Sequence, residues 1–305
     1  MEVTQGTRVM DAVRISDGSI VGLKKVARVD DSAEIEIGQF FSSEALKSDK
    51  QNHSVPIYDI LKVPDDDSMT ILVMPFLRSY GDPSLQTVGE SVELFRQLFE
   101  GLQFIHTNHV AHRDCHSFNI MMDPRPLYPV MYHPANDEMK YDFSGKVKHF
   151  TRTAQPVKYY FIDFGLSKKY DPNGPAPLET EFKSGDKTIP EFKRYGIPYD
   201  PFPTDVYCVG NIVNTDFLTK YRGLEFMQPL VADMIQEDPT KRPTMNIVVS
   251  KFDGILSHLS RSTLRKRLVR NGEGSIMKLL RSIRHEWRKA AYIIGRKHPL
   301  PTPPV

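Results

Sequence analysis

Val110-Ala111-His112-Arg113-Asp114-Cys115-His116-Ser117-Phe118-Asn119-Ile120-Met121-Met122-Asp123 is the stretch around which the chain is organised. It is a turn between two apolar segments that presents an Asp and, five residues later, an Asn. Fixed by a buried His-Arg dipeptide, the carboxylate can orient a hydroxyl and the carboxamide can ligate a hard cation.

The 305 residues around it suffice for one large domain or for two lobes with a cleft. No run of about eighteen apolar residues and no charged-then-apolar start occurs, so neither a membrane span nor a secretory signal is expected. The two cysteines, Cys115 and Cys208, sit in apolar surroundings and fit a reducing compartment. An intracellular, cytoplasmic location is expected, with the nucleus left open. No internal repeat and no zinc-type cluster is present. The net charge of +2 hides an asymmetry: from Leu256 onward twelve Lys/Arg face two Asp/Glu, or +10, which leaves −8 for residues 1–255.

Chain order predicts a small strand-rich lobe followed by a helical one. Thr7 to Ile15 and Ile20 to Val26 read as strands joined at Ser16-Asp17-Gly18-Ser19. Ser32 to Phe41 has helical spacing. Val55 to Val63 and Thr70 to Leu77 are two further strands around an acidic turn, Pro64 to Ser68. After a polar connector, Val92, Leu94, Phe95, Leu98, Phe99, Leu102 and Ile105 form the stripe of a long amphipathic helix. Residues 124–156 lack a sustained period and read as an insertion. Lys158 to Ile162 is a buried-type strand ending at Asp163-Phe164-Gly165, and residues 167–190 read as a mobile loop. Helices are expected at Val206 to Leu218, capped by Thr204-Asp205, at Phe226 to Gln236 and at Met245 to Leu259. Pro299 to Pro304 reads as a frayed end.

His112-Arg113-Asp114 with Asn119, followed by a strand ending in Asp163-Phe164-Gly165, resembles the signature of the eukaryotic protein kinase superfamily. Val21-Gly22-Leu23-Lys24 looks like its third-strand lysine motif, and Glu34-Ile35-Glu36-Ile37 like the helix bearing the acidic partner. Val73-Met74-Pro75-Phe76-Leu77 resembles the hinge over the adenine, Ile189-Pro190-Glu191 the Ala-Pro-Glu motif, and Asp205 to Gly210 the next helix. The resemblance runs from about residue 8 to 259.

This resemblance implies an α+β, two-lobed kinase-like fold over residues 1–260: a small lobe of about 1–77, a hinge near 75–83 and a large lobe of about 84–260. A basic amphipathic tail, 261–305, follows. It also implies ATP and Mg²⁺ as cofactors, a protein as substrate, and Ser/Thr-directed transfer. Asp163 and Asn119 would hold the metal ions, Asp114 would orient the acceptor hydroxyl, and Lys24 would touch the phosphates. Glu34 fits the acidic partner of Lys24 best, with Glu36 and Glu44 as rivals. Met74, Pro75 and Leu77 would line the adenine. His112, Arg113, Glu191, Asp205 and Arg242 would be structural, Glu191 and Arg242 as a bidentate pair.

Some positions depart from the family. Only Gly6 stands where the phosphate loop carries three glycines, so either the chain is a truncated product or the nucleotide is held without a lid. His116 replaces the lysine usual two residues after the Asp, and Phe118 the arginine of tyrosine-directed members. The separation of Asp205 and Arg242 leaves no room for the family's additional docking helix. These departures favour a pseudokinase scaffold as the alternative. A small-molecule kinase of the aminoglycoside phosphotransferase type shares the triad but would not be expected to keep Ile189-Pro190-Glu191 with Arg242. Thr180, Ser184 and Thr188 are candidate phosphorylation sites whose phosphate Arg113 would pair.

Ser275 to Gly295 combines an apolar stripe with Lys278, Arg281, Arg284, Arg288 and Lys289. The plainest disposition is packing of the stripe on the acidic body; an anionic membrane surface or an acidic partner is the alternative. Aromatic interleaving is too thin to suggest nucleic acid.

Overall fold

The computed structural model describes residues 9–29, 32–181, 183–193 and 196–304. Gly6 and the start of the expected opening strand lie outside them. The small lobe is a four-stranded antiparallel sheet, order β1-β2-β4-β3, built from β1 (Val9–Val13), β2 (Ile20–Ala27), β3 (Asp59–Val63) and β4 (Asp66–Pro75). Helix α1 (Ser32–Phe41) follows β2, as its spacing predicts. Two boundaries differ from the sequence reading. The acidic turn shrinks to a tight one in which Asp65 takes φ 59°, so Asp66 and Asp67 already belong to β4. Val55 is not in β3, because its N–H is donated to Phe161 O of the other lobe at 2.9 Å.

A short strand, β5 (Arg78–Ser79), leads through the connector to α2 (Val88–Thr107). This helix begins before its apolar stripe. Thr87 accepts from Glu90 N at 3.0 Å while the Glu90 carboxylate accepts from Gln86 N, a variant of the capping box. Val92, Leu94, Phe95, Leu98, Phe99, Leu102 and Ile105 are all buried, and α2 forms the centre of the large lobe. Strands β6 (Val110–Ala111) and β7 (Ile120–Met122) bracket the turn that carries Asp114 and Asn119.

Residues 124–156 are not a loose insertion. They contain the hairpin β8 (Tyr132–His133) with β9 (Asn136–Lys140), and Leu127, Tyr128 and Tyr132 are buried. Buried Arg152 donates to Pro83 O at 2.6 Å and Tyr80 O at 2.7 Å, which satisfies connector carbonyls that would otherwise be orphaned. β10 (Tyr159–Phe161) pairs with β7, and β11 (Lys168–Lys169) pairs with β6.

Helix α3 (Pro201–Val213) starts earlier than predicted. Asp200 caps it, accepting from Phe202 N at 2.9 Å, and Pro201 and Pro203 sit in the first turn, where no N–H is required. Thr204 and Asp205 are therefore inside the helix and free for other partners. A π turn, Asn214–Leu218, prolongs it. The remainder comprises β12 (Tyr221–Arg222), α4 (Gln228–Met234), α5 (Met245–His258), α6 (Arg261–Leu264), β13 (Val269–Arg270) and α7 (Ser275–Ile294).

The chain after residue 260 is woven into the large lobe. Leu264 and Leu268 join the core, Leu268 N donates to Gln86 O at 2.9 Å, and β13 pairs with β12. The proline end is docked as well. Pro299 and Pro301 are buried, and a Cβ at Gly89 in the first turn of α2 would lie 2.0 Å from Pro299 O, so only glycine admits that approach. The stripe of α7 does not pack on the acidic body: Ile276, Leu279, Leu280, Ile283 and Trp287 are exposed. The body-facing side carries His285, Lys289 and Tyr292 instead.

Candidate active site

The site is assembled where the two lobes meet. β2 carries Lys24 and α1 carries Glu34, which is buried; Lys24 Nζ donates to Glu34 Oε1 at 2.6 Å and to Asp163 Oδ1 at 3.0 Å. Among the three glutamates, geometry selects Glu34: Glu36 is exposed, and Glu44 pairs with Lys47 at 2.6 Å. Burial works against the Lys24 charge, but Glu34 and Asp163 outweigh it and raise its pKa. Asp163 ends its strand at φ 64°, a left-handed backbone unusual for a side-chain-bearing residue. Phe164 anchors that turn, buried 5.7 Å from the Phe41 ring of α1 and 4.9 Å from His112.

The opening stretch is held from below by Asp205. Its fully buried carboxylate accepts from His112 N and Arg113 N, both at 2.7 Å, and lies 3.1 Å from His106 Nε2. A carboxylate in an apolar helix needs such donors, and here they fix the backbone of the turn, with Arg113 at φ 66°. His112 is packed, its Nε2 3.1 Å from Ile162 O, and burial pushes its pKa down. Cys115 and Cys208 are buried free thiols whose pKa burial pushes up, which makes them inert.

Asp114 stands above this support. Its Oδ2 accepts from Asn119 Nδ2 at 2.9 Å and lies 3.4 Å from His116 Nε2; its Oδ1 accepts from Ser184 Oγ at 3.1 Å and Gly185 N at 2.6 Å. Burial alone would raise the Asp114 pKa, but the His116 and Gly185 hydrogen bonds bring it to about 2. Reciprocally, the hydrogen bond to Asp114 raises the His116 pKa against burial. A Cβ at Gly185 would lie 2.4 Å from the His116 ring, so a larger residue there would displace that ring from Asp114.

The donor set of Asp163 and Asn119 suits Mg²⁺. No group of three His, Cys, Asp or Glu side chains forms a metal cage among the described residues. One carboxylate and one carboxamide oxygen fit a hard ion that retains water and takes its other ligands from phosphates. Asn119 already gives its amide nitrogen to Asp114, leaving its oxygen as the ligating atom. Met74 and Pro75 close β4 opposite Gly22 and Val21, and Leu77 follows them, partly buried.

Below the site, Arg242 grips Glu191 with both arms, Nη1 to Oε1 at 2.6 Å and Nη2 to Oε2 at 2.7 Å, in full burial. The segment 167–190 is tied down rather than loose. Buried Glu179 accepts from Lys168 Nζ and Tyr170 Oη at 2.7 Å and lies 3.2 Å from Arg113 Nη2, while its backbone pairs with Tyr199. Sequence reading missed Glu179; its one local signal was a carboxylate beside Thr180. Ser184, read as a phosphorylation site, is buried with its hydroxyl on Asp114, whereas Thr180 and Thr188 are exposed.

Residues 4–222 match the family model described as protein kinase domain. The chain is 28% identical over 219 residues to serine/threonine-protein kinase CAK1 of Saccharomyces cerevisiae, covering 70% of this chain and 50% of that one. It thus spans about half the length of that curated relative.

Proposed function

We propose, from the premise that this chain belongs to the protein kinase family, that it transfers the γ-phosphoryl group of Mg-ATP to a Ser or Thr hydroxyl of a protein. One observation carries this reading: Lys24, Glu34 and Asp163, from both lobes, meet within 3.0 Å in the arrangement that binds phosphates. When bound, Mg²⁺ neutralises phosphate charge. Asp163 and Asn119 would hold it, and Lys24, fixed by Glu34, would contact the phosphates. With a pKa of about 2, Asp114 is too weak a base to remove a proton early. It would instead orient the acceptor hydroxyl, as it already holds that of Ser184. Protonated His116, beside Asp114, would supply the cation that a lysine supplies elsewhere. The relative's printed name, a serine/threonine kinase, supports the acceptor class.

Asp163→Ala should abolish Mg-ATP-dependent phosphorylation of a generic protein substrate while leaving the melting temperature near that of the parent. Equal activity in the variant refutes the assignment. The alternative, a pseudokinase scaffold, is favoured by His116 in place of lysine. Thermal shift with ATP, with and without Mg²⁺, separates the two: no shift at millimolar nucleotide favours the scaffold.

A further inference from the structure

Helix α7 is fastened to the large lobe by its polar side. His285, its one buried residue, lies with Nε2 3.0 Å from Arg265 O, and the Tyr292 hydroxyl shares a 2.5 Å hydrogen bond with Thr151. Ile276, Leu279, Leu280, Ile283, Trp287 and Ile294 recur on the opposite side, all of them exposed; Ile276, Trp287 and Ile294 are more than three-quarters so. Twenty residues make this stripe about 30 Å long. An apolar face of that length on a helix whose other side is occupied is the inverse of ordinary core packing.

A basic groove of about 320 Å³ runs beside the helix, where Arg267, Arg270, Arg281, Arg284 and Arg288 share a single carboxylate, Glu273. Glu273 is taken by Arg267 at 2.6 Å and Arg281 at 2.8 Å. Among the described residues, Arg270, Arg284 and Arg288 have no carboxylate within ion-pair distance. Arg284 follows Leu280 by four positions and precedes Trp287 by three, so its guanidinium borders the stripe.

We propose that α7 seats this domain on an anionic lipid surface, with the apolar stripe inserted at the level of the acyl-chain boundary and the groove arginines taking lipid phosphates. Charge complementarity selects this occupant. A second copy would set one strongly basic chain end against another, at a repulsive cost. The helix itself contributes one acid, Glu286, already paired with Lys289 at 3.0 Å, so nothing on it repels an anionic headgroup layer. Trp and branched aliphatics on one face with arginine alongside are the composition of a helix that lies in an interface. No helix among the described residues is long and apolar enough to cross a membrane, which fits α7 lying on it. This proposal does not depend on phosphoryl transfer.

Trp287 is the one tryptophan of the chain, so intrinsic emission of the full chain reports α7 alone. With vesicles of phosphatidylcholine and phosphatidylserine at about 7:3, emission should move to shorter wavelength and the protein should sediment with the lipid. Phosphatidylcholine vesicles should do neither at the same lipid concentration. The triple variant Arg270→Glu, Arg284→Glu, Arg288→Glu should weaken partitioning roughly a hundredfold or more, and Leu280→Glu with Ile283→Glu should remove it. All five positions are exposed or half-buried, and an unchanged melting curve will show that the variants fold. Absence of a shift at millimolar anionic lipid and low salt overturns the proposal. So does equal binding to phosphatidylcholine, a lipid-free shift accompanied by doubling of mass, which assigns the face to a second copy, or a response to poly-glutamate with none to vesicles, which assigns it to an acidic protein.

Discussion

Arg113 is already paired with Glu179. Their side chains approach to 3.2 Å, both largely buried, and the same carboxylate takes Lys168 and Tyr170. The arginine next to Asp114 thus finds within the chain the negative charge that a phosphate on the segment would otherwise supply. Burial raises the Glu179 pKa, but Lys168, Tyr170 and Arg113 together hold it below the ordinary glutamate value. That contribution to stability is present above the ordinary value of 4.5 and fades as pH falls through the lowered one.

Activity should therefore not require phosphorylation of the segment. Phosphatase-treated protein should retain its activity, and Glu179→Ala should lower kcat/KM by about tenfold or more, since a charge-assisted bond of about 1.5–3 kcal/mol is lost. Glu179→Gln, which keeps one acceptor oxygen but loses the charge and the second acceptor, should fall between. Steady-state kinetics on the dephosphorylated variants checks the order.

A second prediction concerns pH. If His116 supplies the cation at the transferred phosphate, kcat/KM should fall as pH rises through its raised pKa. Protonation exchanges the bond from Phe118 N, 3.2 Å from Nδ1, for a charge beside Asp114. The pair's share of folding stability has the same sign: it is fully present below the ordinary histidine value of 6.5 and lost as pH rises through the raised one. His116→Lys should keep activity high into the alkaline range, and His116→Ala should cost about 10²-fold below the raised pKa and progressively less above it, where the parent has lost the same charge. A pH profile of His116→Lys that coincides with the parent's rules the role out.

Arg242 and Glu191 form a buried bidentate pair whose single truncation leaves an uncompensated charge. Arg242→Met should destabilise the fold by about 3–5 kcal/mol, measured as a shift of the urea midpoint. Glu191→Leu in the same chain should restore part of that loss, because both charges are then gone. Thr204 Oγ1, which donates to Glu191 at 2.8 Å, keeps Asp200 O at 3.1 Å as an acceptor, whereas Gln236 O and Pro203 O lose the Arg242 donor.

Much of this was legible along the chain because it is local. Ser32 to Phe41 and Met245 to Leu259 show their helices by period, and Asp114, Asn119 and Asp163 announce themselves by order and spacing. Helix starts were less legible: Thr87 and Asp200 cap α2 and α3 ahead of the apolar stripes that marked them. Glu179 left almost no signal, since a carboxylate in a polar loop looks solvated until its partners are known.

The sequence by itself determined the main helices and the small-lobe strands, their order and the types of side chain that the proposed phosphoryl transfer would use, because hydrophobic period and motif spacing act over a few residues. Only the tertiary structure decided the pairings. Lys24 meets Asp163 across 139 positions, Glu34 is chosen over Glu36 by the face of α1 that is buried, and Arg113 is taken by Glu179. It also decided that α7 turns its polar side inward. An amphipathic pattern specifies two faces but not which one the rest of the molecule will cover, and here the hydrogen bonds of His285 and Tyr292 to the body made that choice.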